Sequence, residues 1–324
     1  MLEKNIFNIK NSEDFERIAI EVFRFQYENV SVYKDFCNLL STNISEVKSI
    51  IDIPFLPVQF FKNHKVIAKD FTEETIFTSS GTTGSITSKH FVTDLKIYEE
   101  SFQKAFTKQY GEPKNLKILA LLPSYLEREG SSLIYMVEKL IEESNNSNSG
   151  FYLYEMDALI EKLEMLEKSG EKTLLIGVSY ALLDLIERRN FQLKNTIVME
   201  TGGMKGRRKE MIKEELHEIL KKGFGVDKIH SEYGMTELLS QAYSGGDGIF
   251  KCPPWMKILT RDTEDALSYT FGKTGGINVI DLANLYSCSF IATQDLGKTF
   301  ADGTFEILGR FDSSDIRGCN LMVL

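Results

Sequence analysis

Cysteine is sparse in this chain. Four residues in 324 (Cys37, Cys252, Cys288 and Cys319) are scattered too widely for a zinc site or a disulfide framework, and they read as free thiols. Long apolar runs are also missing. No window approaches the roughly 18–20 uninterrupted apolar residues of a membrane span. The opening MLEKNIFNIKNSEDFER carries acidic residues where a secretory signal needs an apolar stretch, so a cytoplasmic protein is expected. There is no dense basic stripe: 38 Lys and Arg against 47 Asp and Glu give a net charge of −9, which argues against a nucleic-acid backbone as the main partner. The one local run, KGRRK at 205–209, reads as a solvated helix end. Internal repeats and low-complexity tails are absent as well. What remains is a chain 42% apolar and 26% charged, ordinary for a globular protein and long enough for a large core and two subdomains.

Helical periodicity runs from Ser12 to about Leu40, with Phe15, Ile18, Val22 and Phe25 at three- and four-residue steps and Asn11 or Ser12 as N-cap. Pro54 and Pro57 break it in IDIPFLPVQFF, whose aromatics serve either as core or as a cavity wall. A helix carrying Tyr98, Phe102, Ala105 and Phe106 should end at Gly111. Then strands without polar alternation (LKILALLP, FYLYEM, TLLIGVS, NTIVMETGG) alternate with helices (SSLIYMVEKLIEE, DALIEKLEMLEK, YALLDLIERR, GRRKEMIKEELHEILKKG). That order predicts an α/β fold with a mainly parallel sheet covered by helices on both faces. Beyond about Gly245, GINVIDL, CSFIATQDLG and GTFEILGRFD read as short strands, so residues 1–244 are expected to form an α/β core and 245–324 a smaller β-rich subdomain.

The densest chemistry lies in FTSSGTTGSITSKH, Phe77 to His90. Gly81 and Gly84 let successive backbone N–H groups turn toward one point, and Thr78, Ser79, Ser80, Thr82 and Thr83 add hydroxyl donors, a composition suited to a polyphosphate. A Walker-type loop would need Gly-Lys before Ser or Thr and a following helix, and neither is present. Extended segments on both sides place the loop at the tip of a hairpin; a plain Ser/Thr/Gly turn is the alternative.

Three further features fall at expected strand ends, where ligands of α/β sheets gather. ETGGMKG has paired Gly202 and Gly203, open to a flat ring. HSEYGMTE offers Tyr233, Thr236 and Glu237, and TQDLG offers Asp295 for a ribose diol. Each alone is better read as core, helix end or turn. Together they describe an ATP site.

The series TSSGTTG, GG, YGMTE, TQDL and GRFDSSDIRG resembles the motif order of the adenylate-forming enzymes. Within them the chain is most similar to LuxE-type acyl-protein synthetases, relatives of phenylacetate-CoA ligases, through LPSYLEREGSSLIYMV, HSEYGMTELLSQAYS and GRFDSSDIRGCNLMV. The resemblance covers nearly the whole chain and implies the N-terminal-domain fold of that superfamily. It also implies roles: Thr78 to Gly84 on the ATP phosphates with Lys89 as a countercharge, Gly202 and Gly203 beside adenine, and Tyr233 stacked on it. Thr236 would bind the α-phosphate, Glu237 Mg²⁺, and Asp295 and Arg310 the ribose. Cys319 matches the position that carries the acyl group as a thioester, beside Arg317. The implied reaction activates a carboxylic acid, expected to be fatty, and passes the acyl group to a partner protein, a reductase or other acyltransferase. A coenzyme A ligase and a non-catalytic nucleotide-binding subunit are the alternatives. There are departures: SITSKH stands in place of Pro-Lys-Gly, and Gln294 in place of Gly. The chain stops at Leu324, so the usual small C-terminal domain and its catalytic lysine are expected to be absent. Lys89, another cation or a partner would then have to substitute.

Overall fold

The computed structural model describes residues 2–79, 86–123, 130–204, 207–209 and 211–311. Strands β4 (Lys117–Leu121), β6 (Thr173–Val178) and β7 (Thr196–Thr201) are apolar and almost wholly buried, as strands covered on both faces must be. With β5 (Gly150–Tyr152) and β8 (His230–Tyr233) they form a parallel array in the order β5-β4-β6-β7-β8. The chain then reverses. Strand β9 (Ala242–Ser244) pairs antiparallel with β8, and β10 (Ile249–Lys251), β14 (Phe305–Arg310), β13 (Phe290–Thr299), β12 (Gly275–Asp281) and β11 (Met256–Arg261) continue the same sheet. Among the described residues the parallel and antiparallel textures therefore meet within one sheet of twelve strands, the twelfth being β1 (Leu56–Pro57), which pairs with β13. A separate hairpin joins β2 (Thr75–Thr78) to β3 (Lys89–Val92).

Helices α1 (Leu2–Ile6), α2 (Ser12–Asn29), α3 (Ser31–Leu39) and α4 (Phe60–Asn63) precede or flank this hairpin, and α5 (Leu95–Tyr110) follows it. Then α6 (Ser132–Ser144), α7 (Met156–Lys168), α8 (Ser179–Arg188) and α9 (Lys213–Phe224) connect the parallel strands. The Asn11 cap accepts from Asp14 N at 2.8 Å, and Gly111 ends α5 at φ 84°. Gly225 closes α9 in the left-handed region (φ 65°), where a Cβ would also meet the Phe191 carbonyl oxygen at 2.6 Å.

Three expectations are corrected. The first long helix is two, because fully buried Val30 takes an extended conformation between α2 and α3. Strand β5 stops at Tyr152, and Tyr154 is exposed. Helix α9 begins at Lys213 rather than near Gly206: Arg208 is drawn onto α8 by ion pairs with Asp184 and Glu187, and Arg207 lies over the Tyr180 ring. The basic run is thus partly tied down rather than a solvated helix end. Phe55, Leu56 and Phe61 of the proline-rich segment are buried in the core. Among the described residues no helix is long and apolar enough to cross a membrane.

Candidate active site

The β2–β3 hairpin sets Phe77 opposite His90 and Thr78 opposite Lys89, which gives the Ser/Thr/Gly loop its neck. Ser88 N donates to Ser79 Oγ at 2.9 Å, and Ser79 N donates to the Ser88 carbonyl at 3.1 Å. Ser80, Gly81, Thr82, Thr83 and Gly84 lie outside the described residues, as does Cys319.

Alternation along β3 separates two roles. Lys89 is exposed and faces a cleft of about 480 Å³ lined also by Lys62, His64, Lys65 and Phe91. His90 is fully buried on the other face. Its Nδ1 donates to the Thr236 carbonyl oxygen at 2.8 Å, and its Nε2 lies 2.9 Å from Asn284 Oδ1. Asn284 Nδ2 in turn donates to the carbonyls of Glu237 (2.8 Å) and Cys288 (2.9 Å). Burial pulls the His90 pKa down to about 4, against the hydrogen bonds that the ring makes to Thr236 and Asn284. His90 therefore rivets the hairpin to the Thr236–Glu237 turn, a job that a lone histidine in a short strand does not announce.

Asp281 is a second unannounced support. Its carboxylate accepts from Leu239 N (2.7 Å), Ser240 N (3.0 Å) and Ser240 Oγ (2.5 Å), fixing the chain just beyond Glu237. Burial raises its pKa to about 6, opposed by those donors.

Glu237 is 6% exposed. Burial raises its pKa, with the Ser88 hydroxyl and the charges of Arg310 and Lys62 acting in the opposite direction. Among the described residues no group of three or more His, Cys, Asp or Glu could hold a metal. A single carboxylate suits Mg²⁺ that arrives with phosphate oxygens as its other ligands.

Strands β8, β13 and β14 bring the remaining members together. Asp295 Oδ2 accepts from the Tyr233 hydroxyl at 2.8 Å, and Oδ1 accepts from Arg310 Nε at 2.9 Å. Asp295 and Arg310 are cross-strand partners beside a bulge at Leu296/Gly297. Arg310 is 77% exposed, whereas Asp295 is buried. Tyr233 is buried with its ring edge-on to Phe250 and Phe305. Behind them Arg261 donates to the carbonyls of Ile277 and Thr293 and to Asn278 Oδ1, tying β11, β12 and β13 together below Asp295.

Gly202 follows β7 at φ 67°, and its carbonyl accepts from Ser179 Oγ at 3.0 Å, next to Gly203. At the end of β7, Glu200 pairs with Lys213 at 2.8 Å. Of the described thiols, burial raises the pKa of Cys37 to about 12 and those of Cys252 and Cys288 further, which leaves little reactive thiolate at pH 7.

A family model described as acyl-protein synthetase, LuxE, matches residues 7–324. A search of curated proteins finds no match. Among solved structures, an ATP-bound MatB from Rhodopseudomonas palustris superposes with a TM-score of 0.55 at 19% identity, covering 72% of this chain and 47% of that one. A 2-hydroxyisobutyryl-CoA ligase in an open conformation with 2-HIB-AMP and CoA superposes with a TM-score of 0.66 at 13% identity, covering 94% of this chain and 72% of that one. At these identities the likeness establishes the fold, and the chain spans about half the length of MatB.

Proposed function

The chain belongs to the LuxE acyl-protein synthetase family, and from that premise we propose that it activates a carboxylic acid with ATP and forms an acyl thioester on Cys319. The observation that carries the reading is the convergence of the hairpin neck, the Thr236–Glu237 turn and the Tyr233–Asp295–Arg310 chain, which come from distant parts of the sequence.

In this reading the loop from Thr78 to Gly84 holds the ATP phosphates, Gly202, Gly203 and Tyr233 border the adenine, and Asp295 with Arg310 holds the ribose hydroxyls. The substrate carboxylate attacks the α-phosphorus beside Thr236 and pyrophosphate departs. Glu237 would hold Mg²⁺, which when bound would supply charge neutralisation for the leaving group. The Cys319 thiolate then attacks the acyl adenylate and releases AMP. The acyl group passes to a partner protein, with a reductase as the family's expected acceptor. Lys89 is retained as a countercharge at the loop neck.

Acid-dependent exchange of labelled pyrophosphate into ATP tests the first step. Cys319→Ser should keep exchange and lose a hydroxylamine-sensitive acyl label; a label that survives the substitution overturns the nucleophile assignment. Unchanged exchange in Lys89→Ala would remove Lys89 from the mechanism, and acylation of added coenzyme A independent of Cys319 would replace the protein acceptor.

A further inference from the structure

Among the described residues, two buried side-chain atoms lack a hydrogen-bond partner: Gln241 Oε1 and the Tyr243 hydroxyl. They belong to one surface. Tyr243 is the direct cross-strand partner of Glu232, and the next pair, Tyr233 with Ala242, points the other way, so Glu232 and Tyr243 share a face and Gln241 rejoins it two residues before Tyr243. The Tyr243 ring meets Phe106 and Tyr110 of α5, which identifies the face as the one beneath that helix.

Glu232 occupies the middle of this row. Its Oε2 accepts from Thr201 Oγ1 at 2.6 Å. Its Oε1 lies over Gly234, 2.5 Å from where a Cβ would stand, and Gln241 Cγ is 3.4 Å from the same point. Glycine is needed there because the carboxyl takes the space. Glu232 keeps partial access to solvent, while Gln241 and Tyr243 are 4% and 3% exposed. Burial raises the Glu232 pKa to about 7, with the Thr201 hydroxyl opposing, the Glu200 charge adding and Lys213 opposing.

Buried polar groups are ordinarily paired, and these two unmet atoms call for a partner that the described residues do not supply. Glu232 immediately precedes Tyr233 on β8, so the row begins one residue from the proposed adenylation site, on the opposite face of the strand. An unsubstituted alkyl chain laid along it would leave the acceptor Gln241 Oε1 and the donor Tyr243 hydroxyl unmet. An ammonium offers no lone pair to Tyr243. A hydroxyl both donates and accepts.

We infer that the acid taken by this protein carries a hydroxyl group read by Glu232, Gln241 and Tyr243, so that a hydroxy acid rather than an unsubstituted fatty acid is its substrate. This rests on the adenylation reading for the site's location and departs from the fatty acid expected by family resemblance. The row is a specificity device: a site built to hydrogen-bond a hydroxyl rejects the analogue lacking it far more strongly than an apolar pocket rejects a change of length.

The test is calorimetric binding of matched acids to the full chain (2- and 3-hydroxybutyrate against butyrate, 3-hydroxydecanoate against decanoate), with pyrophosphate exchange measured on the same set. The hydroxy member of at least one pair is expected to bind tenfold or more tightly than its parent. In Tyr243→Phe and Gln241→Leu that ratio should collapse toward one. Tyr243→Phe deletes an unpartnered hydroxyl, so its unfolding midpoint should hold or rise. The inference is overturned if parent acids bind as well as hydroxy acids, if no hydroxy acid binds, or if the variants weaken both members by the same factor. Retained hydroxy-acid preference without exchange would overturn adenylation alone.

Discussion

Two glutamates on neighbouring strands show how differently one side chain can be housed. Glu200 of β7 faces α8 and α9, where Ser179 donates to it; although burial works against its charge, Lys213, His217 and Ser231 hold its pKa at about 2. Glu232 of β8 faces α5, where its neighbours are hydroxyls and rings, and burial leaves its pKa near 7. The first environment is saturated and has no work left but to hold the strand ends together. The second is unfinished. Charge satisfaction, more than depth, separates scaffold from site at this corner of the sheet.

The largest expected effect tests the closed side. Lys213→Met leaves Glu200 buried without its ammonium and should cost about 3–5 kcal/mol in urea unfolding at pH 7, most of it recovered by adding Glu200→Gln. A loss below about 1 kcal/mol would break the contrast. Acid should act on the same pair. Because the folded pKa of Glu200 is depressed, its contribution, on the order of 3 kcal/mol, is present above the unfolded value near 4.5 and is lost as pH falls toward 2; Glu200→Gln should remove that part of the acid limb.

Glu232 has the opposite sign. Its folded pKa is raised, so the stability it contributes is full below about 4.5 and disappears as pH rises through 7, on the order of 1–3 kcal/mol. Unfolding at pH 5 and pH 8 should show this loss in the wild type and not in Glu232→Gln; equal slopes would erase the distinction between the two carboxylates. The smallest effect on stability belongs to Arg310→Ala, below about 1 kcal/mol because the guanidinium is 77% exposed. The same variant should raise the KM for ATP in pyrophosphate exchange several-fold, which sharpens the division between residues that hold the fold and residues that hold a ligand.

Much of the scaffold could be read from residue order. The apolar strands KILAL, TLLIGV and TIVMET, the cap at Asn11 and the hairpin arms flanking the loop all follow local rules that tertiary packing did not overrule. Local rules failed where a distant partner decided the outcome. Arg208 delays α9 because Asp184 and Glu187 wait on α8, and Val30 breaks a helical pattern because the core accepts it as an extended residue. In the site, Tyr233, Asp295 and Arg310 were legible as motif members, and the structure adds their shared hydrogen bonds. His90, Asp281 and Arg261 were not, since each acts on backbone carbonyls, amides or hydroxyls whose positions no spacing reveals. The row of Glu232, Gln241 and Tyr243 escaped for the same reason: only strand register puts the three on one face.

The Asn284 side chain also sets a timetable. It joins His90, Glu237 and Cys288, and lies 194 positions along the chain from His90. Contacts of such separation carry a loop-closure cost that local helices do not, and they form late. While the chain is being synthesised, the hairpin and the parallel strands emerge before the rivet that aligns them can form. Their correct juxtaposition must wait for the segment around Asn284 and Cys288 to emerge, so the candidate site should take its working shape later than the parallel strands that carry it.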